Sequence, residues 1–367
     1  MTRRVLILAH TGREESMIAA LEACVQLHAN NIVPVMYADE LADMTGYLGV
    51  SDVSMEILDR DVTLADIELV MVLGGDGTIL RAAELVRDHD LPLLGVNLGH
   101  VGFLAESERA DLVQTVDWVV RREYSVEERM TLDVTVRVKG KVVTHTWALN
   151  EVALEKGNRE RMIEVVTEVD GRPLSSFGCD GVVMATPTGS TAYAFSAGGP
   201  VVWPEVEALL MVPISAHALF AKPLVVAPTS TLAVEVLTRN GAHGVIWCDG
   251  RRTVDLLPGS RIEVTRSNQP VKLARTQQSP FSERLVRKFE LPVQGWRGPS
   301  GEETAPPTTQ LPVIRPPKPK TQPDGPHAGR VPPVPDLTVT GGPDGAGHPA
   351  YRNDQPNNLE GVWPLHD

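Results

Sequence analysis

The hydrophobic pattern changes its period partway along the chain, and that change restricts the fold more than any single motif. As far as about residue 125, short β-branched runs at 5–9, 32–37, 69–73 and 91–96 alternate with stretches at 14–27 and 78–87 whose apolar residues recur at helical spacing. Continuous apolar runs suit strands buried on both faces, and the intervening helices serve as the crossovers that parallel strands need. After residue 130 the period becomes two: Leu132, Val134, Val136 and Val138 face one way while Thr131, Asp133, Thr135 and Arg137 face the other. Further strands are expected at 163–169, 232–237, 245–248, 254–256 and 262–265, with Asp170-Gly171 and Asp249-Gly250 as hairpin turns. The expected fold class is an α/β N-terminal domain with a parallel sheet, plus a β-rich second domain resembling an antiparallel β-sandwich. The boundaries are expected at 1–128 for the α/β domain, 129–276 for the β-rich domain and 277–297 for a C-terminal segment that returns to the first.

From 298 to 367 Pro and Gly crowd together and no periodic apolar pattern survives, so this tail is expected to be disordered. A formal charge of -13 argues against nonspecific binding of nucleic acid, which needs an excess of Lys and Arg. No apolar stretch is long enough to cross a bilayer, so no membrane partner is expected. Arg3 and Arg4 before the run 5–9 imitate a signal peptide, but the run is too short. Cys24, Cys179 and Cys248 are widely separated and suggest neither a disulfide framework nor a zinc site, which fits a reducing, cytoplasmic location.

Chemistry concentrates in a few places. Gly74-Gly75-Asp76-Gly77-Thr78 follows an expected strand and opens an expected helix. Glycines there let backbone N–H groups approach a polyphosphate, and the helix N-terminus adds partial positive charge. An Asp in such a loop repels phosphate, so it asks for another role: proton removal, metal holding, or capping of the helix in a tight structural turn. The loop is neither a Walker loop nor a Rossmann fingerprint, since it lacks the Gly-Lys-Ser/Thr ending and the third glycine, whose place Leu80 takes. The run from Thr186 to Tyr193 is dense in hydroxyls and small residues with one aromatic ring, and suits a nucleoside pocket. Asn150-Glu151 offers an amide beside a carboxylate for sugar hydroxyls, and Asp180 between Gly178 and Gly181 is either a turn former or a ligand contact.

Four blocks in order, Gly74 to Thr78, 97–106 (NLGHVGFLAE), Asn150-Glu151 and 178–193 (GCDGVVMATPTGSTAY), resemble the NAD kinase family across roughly residues 4–297. The closing run 281–289 with Gly295-Trp296-Arg297 is similar to the actinobacterial branch. The resemblance implies that Asp76 is the general base for the 2′-hydroxyl of NAD's adenosine ribose as it attacks the terminal phosphoryl group of ATP or polyphosphate. It implies nucleotide contacts at Gly74, Gly75, Gly77 and Thr78, ribose contacts at Asn150 and Glu151, and a pocket lined by Asp180, Thr188, Thr191, Ala192, Tyr193, Ala194, Phe195 and Ser196. Phe103 would wall the adenine side, Arg81 and Arg161 match positions of NAD contact, and His100 fills a slot that varies. Mg²⁺ is expected on the donor's phosphates rather than in a protein cage, with assembly as a homodimer or homotetramer. A lipid kinase shares the glycine-Asp loop but needs a greasy acceptor cleft, and a noncatalytic dinucleotide sensor has no use for Asp76. Truncation after residue 297 is expected to leave activity intact in a coupled assay, and loss of folding on truncation would contradict this.

Overall fold

The structure, a computed structural model, describes residues 2–10, 12–48, 53–99, 102–157, 161–239, 241, 243–276 and 280–293. His100, Trp296, Arg297 and the expected tail 298–367 lie outside the described residues.

In chain order the α/β part begins with β1 (Arg3–Ala9), α1 (Glu14–Ala29), β2 (Ile32–Met36), α2 (Ala38–Leu48), β3 (Glu56–Ile57), β4 (Leu69–Leu73), α3 (Asp76–Val86) and β5 (Leu93–Asn97). It continues with β6 (Ser107–Glu108), α4 (Leu112–Arg121) and β7 (Ser125–Arg129). The β-rich part holds β8 (Leu132–Val138), β9 (Lys141–Ala148), β10 (Glu151–Lys156), β11 (Ile163–Val169), β12 (Arg172–Cys179), β13 (Gly181–Ala185), α5 (Tyr193–Ser196) and β14 (Leu209–Ile214). After these come β15 (Leu224–Val226), β16 (Leu232–Val236), β17 (Gly244–Cys248), β18 (Arg252–Leu256), β19 (Ser260–Arg266), β20 (Val271–Arg275) and α6 (Phe281–Phe289).

The first sheet runs β3-β2-β1-β4-β5-β20-β7, with β6 against β5, and only β7 pairs antiparallel. Its strands alternate between two cores. Val5, Ile7 and Ala9 of β1 pack with α1 and α4, whereas Leu6 and Leu8 pack with Ile79, Ala82 and Ala83 of α3. The rest forms two six-stranded sheets, β15-β14-β13-β10-β17-β18 and β12-β11-β16-β19-β8-β9, whose facing residues share one core containing Leu132, Val134, Val136, Val152, Leu154 and Ile246. The fold is therefore an α/β domain with a parallel sheet and an antiparallel β-rich domain, as the change of period implies.

Both expected turns form. Asp170 and Gly171 take φ of 52° and 74°, and Asp249 and Gly250 take 53° and 66°, the left-handed pair that a tight hairpin requires. Strand β20 inserts between β5 and β7, so residues 271–275, which the expected bounds place with the β-rich domain, pair within the first sheet. Pairing across more than a hundred residues decides this, and no local pattern announces it. The apolar run 209–214 is occupied within the chain: β14 pairs with β13, and Leu209 to Val212 are buried. Helix α3 begins at Asp76 itself, two residues earlier than the hydrophobic spacing suggests.

The domains join where the chain passes from β9 to β10. Leu149 is buried in the α/β core beside α3, while Ala148 and Val152 on either side of it belong to the β-rich core. Trp147 lies between two guanidinium groups, Arg87 at 4.6 Å and Arg252 at 4.5 Å from its ring centre. Glu84 on α3 accepts from both Arg251 and Arg252. Leu149→Ala is expected to cost roughly 2–5 kcal/mol in denaturant unfolding, and an unchanged midpoint would contradict this junction.

Candidate active site

The glycine loop closes directly onto a helix. The Gly74 N–H donates to the Val96 carbonyl at 3.0 Å, and the Thr78 N–H donates to the Gly75 carbonyl at 2.9 Å. A Cβ on Gly74 would stand 2.5 Å from the Thr78 hydroxyl, so only glycine fits there. Asp76 is the first helical residue, and its carboxylate accepts the N–H of Phe103 at 3.0 Å and of Leu104 at 3.1 Å. A Cβ on Gly102 would collide with that carboxylate, which makes Gly102 part of the same fitting. Asp76 thus caps a neighbouring loop, not its own helix. Each of its oxygens takes one N–H and keeps a further lone pair.

Beside this loop opens a cleft of about 620 Å³, lined by His10, Gly12, Arg13, Gly75, Gly77, Thr78, Leu80 and Arg81 from the α/β domain and by Asp249, Gly250 and Arg251 from the β17–β18 turn. Asp76 is not among the lining residues; its carboxylate is turned into the 102–104 loop behind them. The cleft is cationic, with three arginines and exposed amides, although the chain as a whole is strongly acidic. Arg81 is held by Glu40 at 3.3 Å, and the buried Glu40 also accepts the Ala9 N–H. Burial raises the Glu40 carboxyl above its ordinary range.

Asp249 organises the other wall. It accepts the N–H groups of Leu149 at 2.9 Å, Asn150 at 2.7 Å and Glu151 at 3.3 Å, and a guanidinium N–H of Arg252 at 2.8 Å. Burial pushes its own carboxyl up, and those donors oppose the shift. Glu151 is raised as well: burial, and then the adjacent Asp249 charge, push its carboxyl up to about 8, so the protonated form prevails at neutral pH. Two buried atoms here lack a protein partner, Oδ1 of Asn150 and Oε2 of Glu151. Buried orphans of this kind call for a ligand or water.

Next to them the Thr186 hydroxyl donates to the Leu149 carbonyl at 2.7 Å and accepts the Gly189 N–H at 3.1 Å. Gly189 lies so close to the Asn150 backbone that a side chain would overlap it. Ser190 is a structural tie, bonded both ways to Val202, and Thr188 is buried with its carbonyl accepting from the Thr191 hydroxyl. Ala192 is half-buried, and Ala194 on α5 is buried in one cluster with Ala153 and Val183. Tyr193, Phe195 and Ser196 face outward. Burial and a hydrogen bond with Glu155 push the Tyr193 hydroxyl up to about 12. Phe103 stacks between Phe281 and Phe289 of α6, and Phe289 also meets Phe195 at 4.5 Å.

Arg161 and Asp180 are not brought to the glycine-loop cleft within this chain. Arg161 lines a separate opening of about 750 Å³ with Met162, Phe177, His217 and Arg239, and Asp180 is paired with Lys156 at 2.6 Å, which lowers its carboxyl below the ordinary range. Sequence reasoning missed His10, Arg13, Glu40, Arg251 and the burial of Asp249, which it treated only as a turn former. The one available signal for Asp249 was a carboxylate at the end of a strongly apolar strand.

A glycine loop at a helix N-terminus in an α/β domain, facing an antiparallel β domain across a cationic cleft, defines a phosphotransferase acting on nucleotides. The ATP-NAD kinase N-terminal domain matches residues 5–124 and the ATP-NAD kinase C-terminal domain matches residues 149–276. The NAD kinase of Leifsonia xyli is 60% identical over 301 residues, covering 82% of this chain and 99% of that protein. NAD kinase 2 of Streptomyces coelicolor is 58% identical over 300 residues, covering 81% and 97%. Among solved structures, an NAD kinase from Archaeoglobus fulgidus in complex with ATP is similar at a TM-score of 0.59 and 25% identity, over 78% of this chain and 98% of that one. Yeast NADH kinase complexed with NADH shares the fold at a TM-score of 0.71 and 23% identity, over 80% and 89%. The chain belongs to the NAD kinase family.

A carboxyl raised on folding contributes stability that is complete below its ordinary value of 4.5 and is lost as pH rises through about 8. Glu151→Gln, which cannot ionise, is therefore expected to gain in melting temperature relative to the unaltered protein as pH goes from 5 to 8.5. A difference that stays constant with pH would contradict a protonated Glu151.

Proposed function

We propose that this protein transfers the terminal phosphoryl group of ATP to the 2′-hydroxyl of the adenosine ribose of NAD, giving NADP. The observation that carries the reading is a cleft lined by the glycine loop and three arginines, whose far wall at Asp249 is hydrogen-bonded to the Asn150 and Glu151 backbone, where two buried polar atoms have no protein partner. The donor's phosphates lie on the amides of Gly75 and Gly77 at the N-terminus of α3, with Arg13, Arg81 and Arg251 screening their charge. These groups recognise phosphate and not the nucleoside attached to it, so polyphosphate fits the same cleft. Asn150 offers an acceptor and the protonated Glu151 a donor to ribose hydroxyls, while Tyr193 and Phe195 present ring faces.

Mg²⁺ fits this site as a partner of the donor. Among the described residues no group of three His, Cys, Asp or Glu could hold a metal, and the nearby Asp76 and Asp249 carboxylates are engaged by amides. When bound, the ion would neutralise charge on the transferring group, held mainly by the donor's phosphates. Asp76 takes the proton from the attacking hydroxyl with its remaining lone pairs. The ribose hydroxyl therefore has to reach a carboxylate that does not itself line the cleft.

Assembly as a homodimer or homotetramer, in the cytoplasm, completes the reading. The fully exposed Leu219 and the neighbouring Phe220 in the β14–β15 connection are suited to a subunit contact. The catalytic assignment is tested by Asp76→Asn, which keeps the shape but removes the base. Turnover is expected to fall at least about 10²-fold with NAD binding retained, and near-normal turnover would refute the assignment.

A further inference from the structure

We propose that helix α6 aims the Asp76 carboxylate, with Arg284 as the positioning residue, acting through the loop 102–106. The inference rests on the reading of Asp76 as the general base. The loop's amides face Asp76, and its carbonyls face arginines from the end of the described chain. Arg284 Nη1 donates to the Phe103 carbonyl at 3.2 Å and to the Ala105 carbonyl at 3.1 Å, while Arg275 Nη1 donates to the Leu104 carbonyl at 3.3 Å. Both arginines also reach the Glu106 carboxylate, 1% exposed, at 2.8 Å and 3.0 Å, and its other oxygen accepts the Thr276 N–H at 3.0 Å.

Peptide planarity makes these bonds directional. The Phe103 carbonyl and the Leu104 N–H belong to one rigid planar unit and point in opposite directions. A guanidinium that fixes the carbonyl therefore fixes the N–H that meets Asp76 Oδ1 at 3.1 Å. The Phe103 side chain is held as well, with its ring 5.9 Å from Phe281 and 5.8 Å from Phe289, both on α6. Anchoring a helix needs only apolar burial. Two largely buried guanidiniums sharing one buried carboxylate are an expensive way to do it, whereas guanidiniums that between them hold the carbonyls of Phe103, Leu104 and Ala105 give orientation. The closing run of the sequence, Phe281 to Phe289, thereby gains a role at the reacting centre.

The test is a double-mutant cycle read in steady-state kinetics, with thermal melting as the control for folding. Arg284→Gln is expected to lower kcat by roughly 10- to 100-fold, with KM for NAD and ATP within about 3-fold. In the Asp76→Asn background the same change is expected to add less than about 3-fold, because there is no base left to aim. Arg284→Lys keeps the charge beside Glu106, and so the fold, but loses the forked reach; its kcat is expected to lie between the two. If Arg284→Gln does not fold, the cycle is completed with Arg284→Lys. Equal losses in both backgrounds, a loss confined to KM, or unaltered kcat in the Lys variant would overturn the proposal. Asp76→Asn turning over normally would instead remove the base assignment itself, an outcome visible before Arg284 is changed.

Discussion

The buried carboxylate of Asp249 is the interaction on which the two-domain arrangement depends. Placing a charge in the interior is costly unless donors surround it, and here four do: three consecutive amides at 149–151 and the Arg252 guanidinium. Those amides belong to the corner where the chain leaves the α/β core at Leu149 and enters the β-rich core at Val152. Arg252 extends the same tie to Glu84 on α3 and to the Trp147 ring. One carboxylate thus fixes a backbone corner, a hairpin and a helix relative to one another. Its charge also helps keep Glu151 protonated, so the seam that joins the domains sets the hydrogen-bonding character of the proposed acceptor site.

The second carboxylate, Asp76, illustrates how the loop separates two incompatible demands. Phosphate binding wants amides and cations, and proton removal wants a carboxylate. Gly75, Gly77 and Thr78 face the cleft while Asp76 is turned behind them onto two amides of the next loop. The proposed anion site keeps its positive character, and the carboxylate does not line it. The formal charge of -13 is compatible with this because the cations that matter, Arg13, Arg81 and Arg251, are concentrated in one place.

Much of the frame was legible in the residue order because it is written locally. The alternation at 131–138, the continuous run before Gly74 and the two Asp-Gly turns each depend on neighbours within a few positions, and all of them form. What escaped depends on distant partners. Strand β20 joins the first sheet beside β5, nearly two hundred residues earlier in the chain, and Asp249 finds its amides a hundred residues away. Asn150, Glu151 and Tyr193 were legible as a group of polar and aromatic residues, and the folded chain does bring them together. Arg161 and Asp180, equally polar in the sequence, are placed elsewhere: Arg161 lines a different opening and Asp180 is paired with Lys156, because tertiary placement and not residue type decides what a side chain reaches.

The central claim is that this cleft joins a polyphosphate end to a sugar alcohol of a dinucleotide. It is tested most directly by incubating the full-length protein with NAD, ATP and Mg²⁺ and following NADP with a dehydrogenase that accepts only the phosphorylated cofactor. The account requires NADP to accumulate in step with ADP, with the new phosphate on the 2′-oxygen of the adenosine ribose. Tight binding of NAD with no NADP formed would contradict it and leave a dinucleotide-binding protein without the chemistry assigned here.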